Sequence, residues 1–120
     1  MPLNHKAKQP DGYVLVIGSG TLAIEEYEEL NRLIEQDSSC NGLDRRLYDM
    51  RLVEPAETYQ RQEALHKRTT AISCNRMAIL VSSPAAYGMA RIYQTVASEQ
   101  LPVEIFYEEP QAVEWLLQNT

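Results

Sequence analysis

The stretch from Gly18 to Ala23 reads GSGTLA and fits the dinucleotide fingerprint G-x-G-x-x-G/A, in which backbone amides at a helix N-terminus cradle a pyrophosphate. The match is short, and no acidic residue lies at a strand end about 20 residues further on. The nearest candidates, Asp44 and Asp49, come later in the sequence. The chain of 120 residues is also too short for a dinucleotide domain beside a substrate domain. We therefore interpret the stretch as a glycine-bearing strand end that turns into a helix, and a nucleotide-using enzyme stays an alternative.

Histidine, cysteine and serine side chains supply the other candidates for catalysis or metal binding. His5 and His66 are too far apart in the sequence to form a local metal pair, and no G-x-S-x-G nucleophile motif is present. His66 and Cys74 are eight residues apart, which separates them by about 12 Å on a helix. We therefore expect no enzyme activity, no metal and no cofactor, and we expect Cys40 and Cys74 to be free thiols.

The stretch from Ser82 to Arg91, SSPAAYGMAR, is the most informative one for binding. It follows an apolar run at 77–81 that is typical of a central strand buried on both faces. Ser83 suits the N-cap of the next helix, and Gly88 within that helix suggests that a neighbouring element approaches closely. Ligands and partners usually dock at the carboxyl ends of parallel strands, where hydroxyl groups and helix amides can also hold an anion.

Length, composition and charge limit the class of protein. A chain of 120 residues predicts a single domain over 1–120 with a substantial core, and its 44% hydrophobic and 23% charged residues are typical of globular proteins. The net charge of -6 argues against nucleic-acid binding. No apolar run approaches the ~20 residues of a membrane span, and the N-terminus has no apolar signal core. We therefore expect a cytoplasmic protein.

Alternating strand and helix patterns position these residues. The β-branched run at 13–17 follows a Pro-Asp-Gly turn and predicts a strand, with 3–8 as the other strand of a hairpin. Apolar residues then recur at helical spacing over 21–36. The later predicted elements are a strand at 43–53, a helix at 54–73, a strand at 76–83, a helix at 83–100, a strand at 101–108 and a helix at 109–118. This order predicts an α/β fold with a mixed, mostly parallel sheet of about five strands, about four helices and an N-terminal β-hairpin.

Motifs in both halves of the chain resemble the small bacterial SpoIIAA-like proteins, which are related to STAS domains. After the apolar strand and its polar turn, YGMAR at 87–91, PVEIF at 102–106 and Trp115-Leu116 occur in the order typical of that family. In the first half, GLDRRLYDMR at 42–51 matches the pattern G-L-D-x-x-x-Y-D-x-R. The resemblance covers about residues 12–118, and it implies a mixed sheet with helices packed around it.

The resemblance also implies an interaction module without enzyme activity. The best-understood relatives of these proteins, the anti-sigma factor antagonists, bind a partner kinase and are switched by phosphorylation of a serine that follows a central strand and opens the next helix. The matching place, 52–58, has no serine; Glu54 stands at the predicted helix start, and Thr58 is its only hydroxyl. The stretch DSSCNG at 37–42 follows a predicted helix instead, so we interpret its polar residues as a helix end and Gly42 as a left-handed turn.

We therefore predict a regulatory protein-interaction module that lacks the usual phosphoacceptor serine, binds a protein partner and forms a homodimer. The predicted contact residues lie at strand-to-helix junctions: Arg51, Glu54, Ser82, Ser83, Tyr87 and Arg91. Arginine and tyrosine are enriched at protein interfaces. The alternative is a protein that binds a lipid or another small apolar ligand, and it rests on fold analogy alone.

Overall fold

The computed structural model describes residues 3–54, 74–98 and 100–118 and shows a five-stranded sheet in the order β1-β2-β3-β4-β5. The strands are β1 (Leu3–Lys8), β2 (Tyr13–Gly20), β3 (Arg45–Val53), β4 (Arg76–Leu80) and β5 (Val103–Phe106). β1 and β2 form an antiparallel hairpin, and every other neighbouring pair is parallel. The predicted mixed, mostly parallel sheet with its N-terminal hairpin is therefore confirmed.

The described residues contain three α-helices, α1 (Ile24–Gln36), α2 (Pro84–Ala97) and α3 (Glu109–Leu116). A short 3-10 turn, Ser38–Cys40, follows α1. About four helices were predicted. The helix predicted at 54–73 lies outside the described residues except for Glu54, which precedes that gap. Within these described ranges, no helix has the length and apolar character that a membrane crossing requires.

Local sequence explains where the helices begin and end. Ala23 cannot cap α1 with its side chain, so the Glu26 carboxylate accepts a hydrogen bond from the Ala23 amide at 3.1 Å. Ser83 caps α2, because its hydroxyl accepts a hydrogen bond from the Ala86 amide at 3.1 Å. Gly42, with a φ of +81°, lets the chain turn from the helix end into β3. The predicted Ser83 cap and Gly42 turn are both confirmed.

One face of the sheet, the α1–α2 face, packs against α1 and α2. Its buried strand residues include Val14, Val16, Tyr48, Met77 and Ile79. Leu30 and Ile34 of α1 and Ala90, Tyr93 and Ala97 of α2 complete this cluster. Helical spacing in both helices therefore places an apolar stripe against alternate residues of the strands.

The α1–α2 face also buries a charged residue that the sequence pattern did not single out. Arg46 of β3 is only 1% exposed, since it lies in register between Val14 and Met77. Its guanidinium donates hydrogen bonds to Asn31 Oδ1 at 2.7 Å and to the Tyr48 hydroxyl at 3.2 Å. A buried guanidinium is tolerated only when polar partners offset its desolvation, and these two residues supply part of that compensation.

The opposite face, the α3 face, packs against α3. Its buried cluster contains Tyr13, Leu47, Ala78 and Leu80 from the strands with Ala112 and Leu116 from α3. Arg45 and Arg76, which are paired across β3 and β4, donate hydrogen bonds to the carbonyls of Leu116 and Trp115 at 2.7 and 2.9 Å. Cations at the carbonyl end of a helix offset its dipole. Two arginines at the strand starts thus fix the C-terminal end of α3.

β3 contains an irregularity close to its carboxyl end. Ile17 pairs with Asp49, whereas Ser19 pairs with Leu52, so β3 has one residue more than β2 across this interval. Such a bulge bends the strand and redirects its side chains. It brings Val53 against Gly18, where a Cβ would lie 2.9 Å from Val53 Cγ2. Gly18 is therefore required for packing between β2 and β3.

Candidate functional site at the carboxyl edge of the sheet

The carboxyl ends of the parallel strands form one continuous edge, which we call the carboxyl edge (residues 17–21, 51–54, 81–83 and 106–109). Hydrogen bonds join its segments in sequence. The Glu54 amide donates to the Gly20 carbonyl at 2.9 Å, the Ser82 hydroxyl to the Arg51 carbonyl at 2.9 Å, and the Val81 amide to the Phe106 carbonyl at 3.0 Å. The edge is therefore a connected surface rather than a set of separate loops.

Arg51 lies at the centre of this edge and is held between two carboxylates. Its Nε and Nη2 donate to the two carboxylate oxygens of Asp49 at 2.8 and 2.7 Å, and Nη2 also contacts Glu109 at 3.2 Å. The hydrogen bonds that Arg51 donates lower the pKa of Asp49, and their acceptance by the Asp49 carboxylate raises the pKa of Arg51. The Arg51 side chain remains 39% exposed, so a charged group of fixed orientation faces solvent.

Glu54 ends the described part of this segment beside β2. Its carboxylate accepts a hydrogen bond from the Thr21 hydroxyl at 3.2 Å in an exposed position. Together with the bond from its backbone amide, this contact fixes Glu54 to the end of β2 rather than leaving it free at the surface. The rest of the expected phosphoswitch position, 55–58, lies outside the described residues.

The hydroxyl groups of Ser82 and Ser83 are both used within the chain. The Ser82 hydroxyl donates to Arg51, and the Ser83 hydroxyl caps α2. These bonds join β3 to β4 and begin the helix, which gives each serine a structural role. The expectation that they receive an anion stays a prediction.

Tyr87 in the first turn of α2 stacks on Tyr107, which follows β5. The ring centroids are 5.6 Å apart and the planes differ by 5°, the geometry of an offset aromatic stack. Arg91 lies one helical turn after Tyr87 and is exposed. Within the part of the chain that the structure describes, the Arg91 side chain has no hydrogen bond or ion pair. Four of the six predicted contact residues thus belong to the carboxyl edge, whereas Tyr87 in α2 stacks on Tyr107 of that edge and Arg91 lies further along the helix.

Gly88 does not have the role that the sequence suggested. It is exposed, and a Cβ built on it would meet no atom within 4 Å. The expectation of a closely approaching element at Gly88 is therefore wrong for the described structure. In this chain the close approach occurs at Gly18 instead.

A pattern of exposed apolar side chains was not predictable from the sequence. Among the described residues, the exposed large hydrophobic residues are Ile17 at 43%, Leu52 at 71% and Tyr107 at 46%. Ile17 lies in the carboxyl half of β2, Leu52 near the end of β3, and Tyr107 directly after β5. Any one of these could be core or surface in a sequence pattern, since exposure depends on which elements cover the sheet.

The glycine stretch at 18–23 is not arranged as a dinucleotide cradle. The Glu26 carboxylate already accepts a hydrogen bond from the Ala23 amide at the start of α1, and Glu25 adds a second acid in the first turn. A pyrophosphate would meet like charge there. Gly18 is in addition buried against Val53, Leu3 and Met50. The interpretation of the stretch as a strand end that turns into a helix agrees with this geometry.

Comparison with protein-family models matches residues 45–120 to the family described as "Domain of unknown function (DUF7793)". The chain belongs to the DUF7793 family. The matched part begins with β3 and includes the carboxyl-edge segments from Arg51 onward. A search of curated proteins finds no match.

Solved structures show the same fold at low sequence identity. A protein of the DUF3478 family with a SpoIIAA-like fold from Shewanella loihica PV-4 has a TM-score of 0.63 and 19% identity, over 95% of this chain and 91% of that chain. An anti-sigma factor antagonist from Mycobacterium paratuberculosis has a TM-score of 0.57 and 14% identity, over 97% of this chain and 95% of that one. The SpoIIAA-like fold implied by the sequence resemblance is thus confirmed.

Proposed function

We propose that this protein is a non-catalytic, regulatory interaction module that binds a protein partner through the carboxyl edge of its sheet. The observation that carries the proposal is the location of Ile17, Leu52 and Tyr107, the exposed large hydrophobic residues of the described chain, at this one edge. Ile17 and Leu52 lie on the α3 side of the edge, and Tyr107 lies on the α2 side, where it stacks on Tyr87. The carboxyl ends of parallel strands are where partners usually dock, and exposed apolar groups there favour an interaction site.

The charged and aromatic neighbours of these residues suit a protein partner. Arg51 is held rigidly by Asp49 and Glu109, so little side-chain entropy is lost when it makes a further contact. The stacked rings of Tyr87 and Tyr107 present a rigid aromatic surface nearby. Arginine and tyrosine anchors surrounded by apolar contacts are typical of binding hot spots.

The fold gives independent support for this class of function. One structural neighbour is named as an anti-sigma factor antagonist, a name that implies action on another protein. We infer a protein partner by analogy of fold, and the carboxyl-edge residues are the contacts we assign to it. We also propose a reducing, cytoplasmic compartment, because Cys40 and Cys74 are both free thiols.

The test compares substitutions at the edge with a matched substitution elsewhere. The first step identifies host proteins that crosslink to the wild-type protein but not to the double variant that carries both Leu52→Ser and Tyr107→Ser. The affinity of a purified candidate is then measured by calorimetry. We expect each single change to weaken binding at least about tenfold, as hot-spot residues do, with little change in melting temperature.

Lys6→Ser is the control, since Lys6 is exposed on β1 away from the edge and should leave the affinity unchanged. Equal binding by wild type, Leu52→Ser and Tyr107→Ser would contradict the proposal. Native mass spectrometry of the purified protein covers the alternatives. A retained small molecule would favour an apolar-ligand binder, and a dimer that dissociates with Leu52→Ser would make a second copy the occupant of the edge.

A further inference from the structure

A cluster of potential metal ligands lies where β1, the end of α1 and the 3-10 turn meet. It consists of His5, Asp37 and Cys40, whose imidazole nitrogen, carboxylate oxygen and sulfur atoms lie within 4.8 Å of one another. Asp37 and Cys40 are three positions apart in one turn, whereas His5 is 32 positions from Asp37 and reaches it because β1 packs against α1 and the 3-10 turn. None of them belongs to the carboxyl edge.

We propose that His5, Asp37 and Cys40 bind a zinc ion, with water as the fourth ligand. Imidazole nitrogen, carboxylate oxygen and thiolate sulfur are the donors that zinc accepts in proteins, and three protein ligands with one open position is a known arrangement. Calcium and magnesium prefer oxygen donors alone, so this mixed set favours zinc over either of them.

The carboxylate of Asp37 is already oriented for this role. Its Oδ1 accepts hydrogen bonds from the Ser39 amide at 2.9 Å and the Ser39 hydroxyl at 2.6 Å. Its other oxygen, Oδ2, faces His5 Nε2 at 2.9 Å. A metal-binding carboxylate is commonly held in this way, with one oxygen fixed by outer hydrogen bonds and the other directed to the ion.

The backbone fixes Cys40 relative to Asp37. The Cys40 amide donates to the Asp37 carbonyl at 3.0 Å and closes the 3-10 turn. A tetrahedral zinc ion holds a nitrogen and an oxygen ligand about 3.3 Å apart. His5 and Asp37 would therefore have to separate by a few tenths of an ångström. The Cys40 sulfur, which lies within 4.8 Å of both, would have to come to about 3.6 Å from each by side-chain rotation.

The electrostatic surroundings favour a cation. The cluster lies at the C-terminal end of α1, where the helix dipole is negative, and the last turn of α1 contains no basic residue. The side chains of His5 and Asp37 are 17% and 32% exposed, whereas Cys40 is 7% exposed. An ion could enter from the solvent side and reach a sulfur that is protected from bulk oxidants.

Cobalt(II) is the probe, because a thiolate bound to cobalt gives a charge-transfer band that oxygen and nitrogen ligands do not. The full-length protein is treated with a chelator, reduced and titrated with cobalt chloride, and zinc is then added in competition. We expect a charge-transfer band with wild type, its loss on zinc addition, and a rise in melting temperature with either ion.

The chain provides matched controls, since it has two cysteines and two histidines. Cys40→Ser and His5→Gln should weaken zinc binding at least about 100-fold, and Ser39→Ala about tenfold through loss of the outer hydrogen bonds. Cys74→Ser and His66→Gln should leave the cobalt band and the zinc affinity unchanged. Circular dichroism and a melting curve in chelator show whether each variant folds before metal is added.

Two results would overturn the proposal. One is a wild-type protein without a charge-transfer band at millimolar cobalt. The other is a band that survives Cys40→Ser and disappears with Cys74→Ser. If Cys40→Ser does not fold, zinc affinity is measured for His5→Gln and Ser39→Ala instead, because both variants keep the thiol. Unchanged zinc affinity in both variants would also exclude the site. None of these results affects the proposed function of the carboxyl edge.

Discussion

The two faces of the sheet differ in which side chains they bury: one buries a charged residue, and the other leaves apolar residues exposed. On the α1–α2 face, the guanidinium-bearing side chain of Arg46 is 1% exposed. On the α3 face, Ile17 is 43% exposed, and Leu52, beyond the β3 bulge, is 71% exposed. Both faces are built from the same strands, β2 and β3. The difference teaches that helix cover, and not residue type, decides which side chains of this sheet are buried.

The two faces differ in the polar partners and the helix cover that they provide for their side chains. α1 supplies Asn31 to Arg46, and the neighbouring Tyr48 supplies a hydroxyl, so the charge has polar partners beneath its cover. Among the residues that the structure describes, no hydrogen-bond partner meets the Nε atom of Arg46. α3 is short and packs near β3, β4 and β5, which leaves the carboxyl half of β2 open to solvent. The open area carries Ile17 and is one part of the carboxyl edge that we assign to a partner.

The largest effect is expected from Arg46. Arg46→Ala leaves Asn31 and Tyr48 without their partner and opens a cavity, so we expect the free energy of unfolding to fall by about 3 kcal/mol or more. Arg46→Met keeps most of the volume and removes the buried charge, and we expect a change within about 1.5 kcal/mol. Urea denaturation measures both. Equal losses in the two variants would show that the guanidinium itself, rather than its volume, stabilises the α1–α2 face.

A smaller effect is expected where β2 packs on the bulge of β3. A Cβ on Gly18 would lie 2.9 Å from Val53 Cγ2 and 3.2 Å from Leu3 Cδ2, so Gly18→Ala should destabilise the protein by about 1–2 kcal/mol. Gly88→Ala is the matched control, because Gly88 lies in an exposed turn of α2 with open space around it. It should stabilise the protein by up to about 1 kcal/mol. Thermal unfolding measures the change in stability of both variants. If both substitutions stabilised the protein, or both destabilised it, the prediction would be contradicted.

The sequence predicted the order of elements because each element has a distinct local signal. The change from alternating to helical spacing separates β2 from α1, and serine and proline mark the start of α2. The left-handed turn at Gly42 was predictable for the same reason, since its cause is the local backbone. Much of the carboxyl edge was also predictable, because strand ends of a parallel sheet meet at one edge.

What the sequence could not predict depends on contacts between distant residues. Arg46 belongs to a run of charged residues that reads as surface, and its burial requires Asn31 from another element. His5 and Asp37 are 32 residues apart, and no local pattern joins them. The exposure of Leu52 follows from the bulge and from the placement of α3, neither of which has a signature in β3 itself. Burial and contacts that depend on distant elements therefore could not be predicted from the sequence.

The smallest effect is expected from the ion pair on the α3 face. Hydrogen bonds from Arg51 lower the pKa of Asp49 below its ordinary value of 3.8. A carboxyl whose pKa is lower in the folded state stabilises the protein above pH 3.8, and this contribution is lost as the pH falls through the folded value. Because the pair faces solvent, we expect Asp49→Asn to cost about 0.2–1 kcal/mol at pH 7.

Urea denaturation at pH 7 and at closely spaced values from pH 5 to 2 provides the measurement. Asp49→Asn should lose less stability than wild type on acidification, and Arg51→Gln should flatten the curve to a similar extent. The double variant should show little further change, because the two residues form one interaction. Asp37, whose pKa is about 2, keeps some acid dependence in every variant. An acid curve in Asp49→Asn as steep as that of wild type would show that the exposed pair contributes nothing to stability. Arg51 would then serve the carboxyl edge only as a contact residue, in contrast to the buried Arg46.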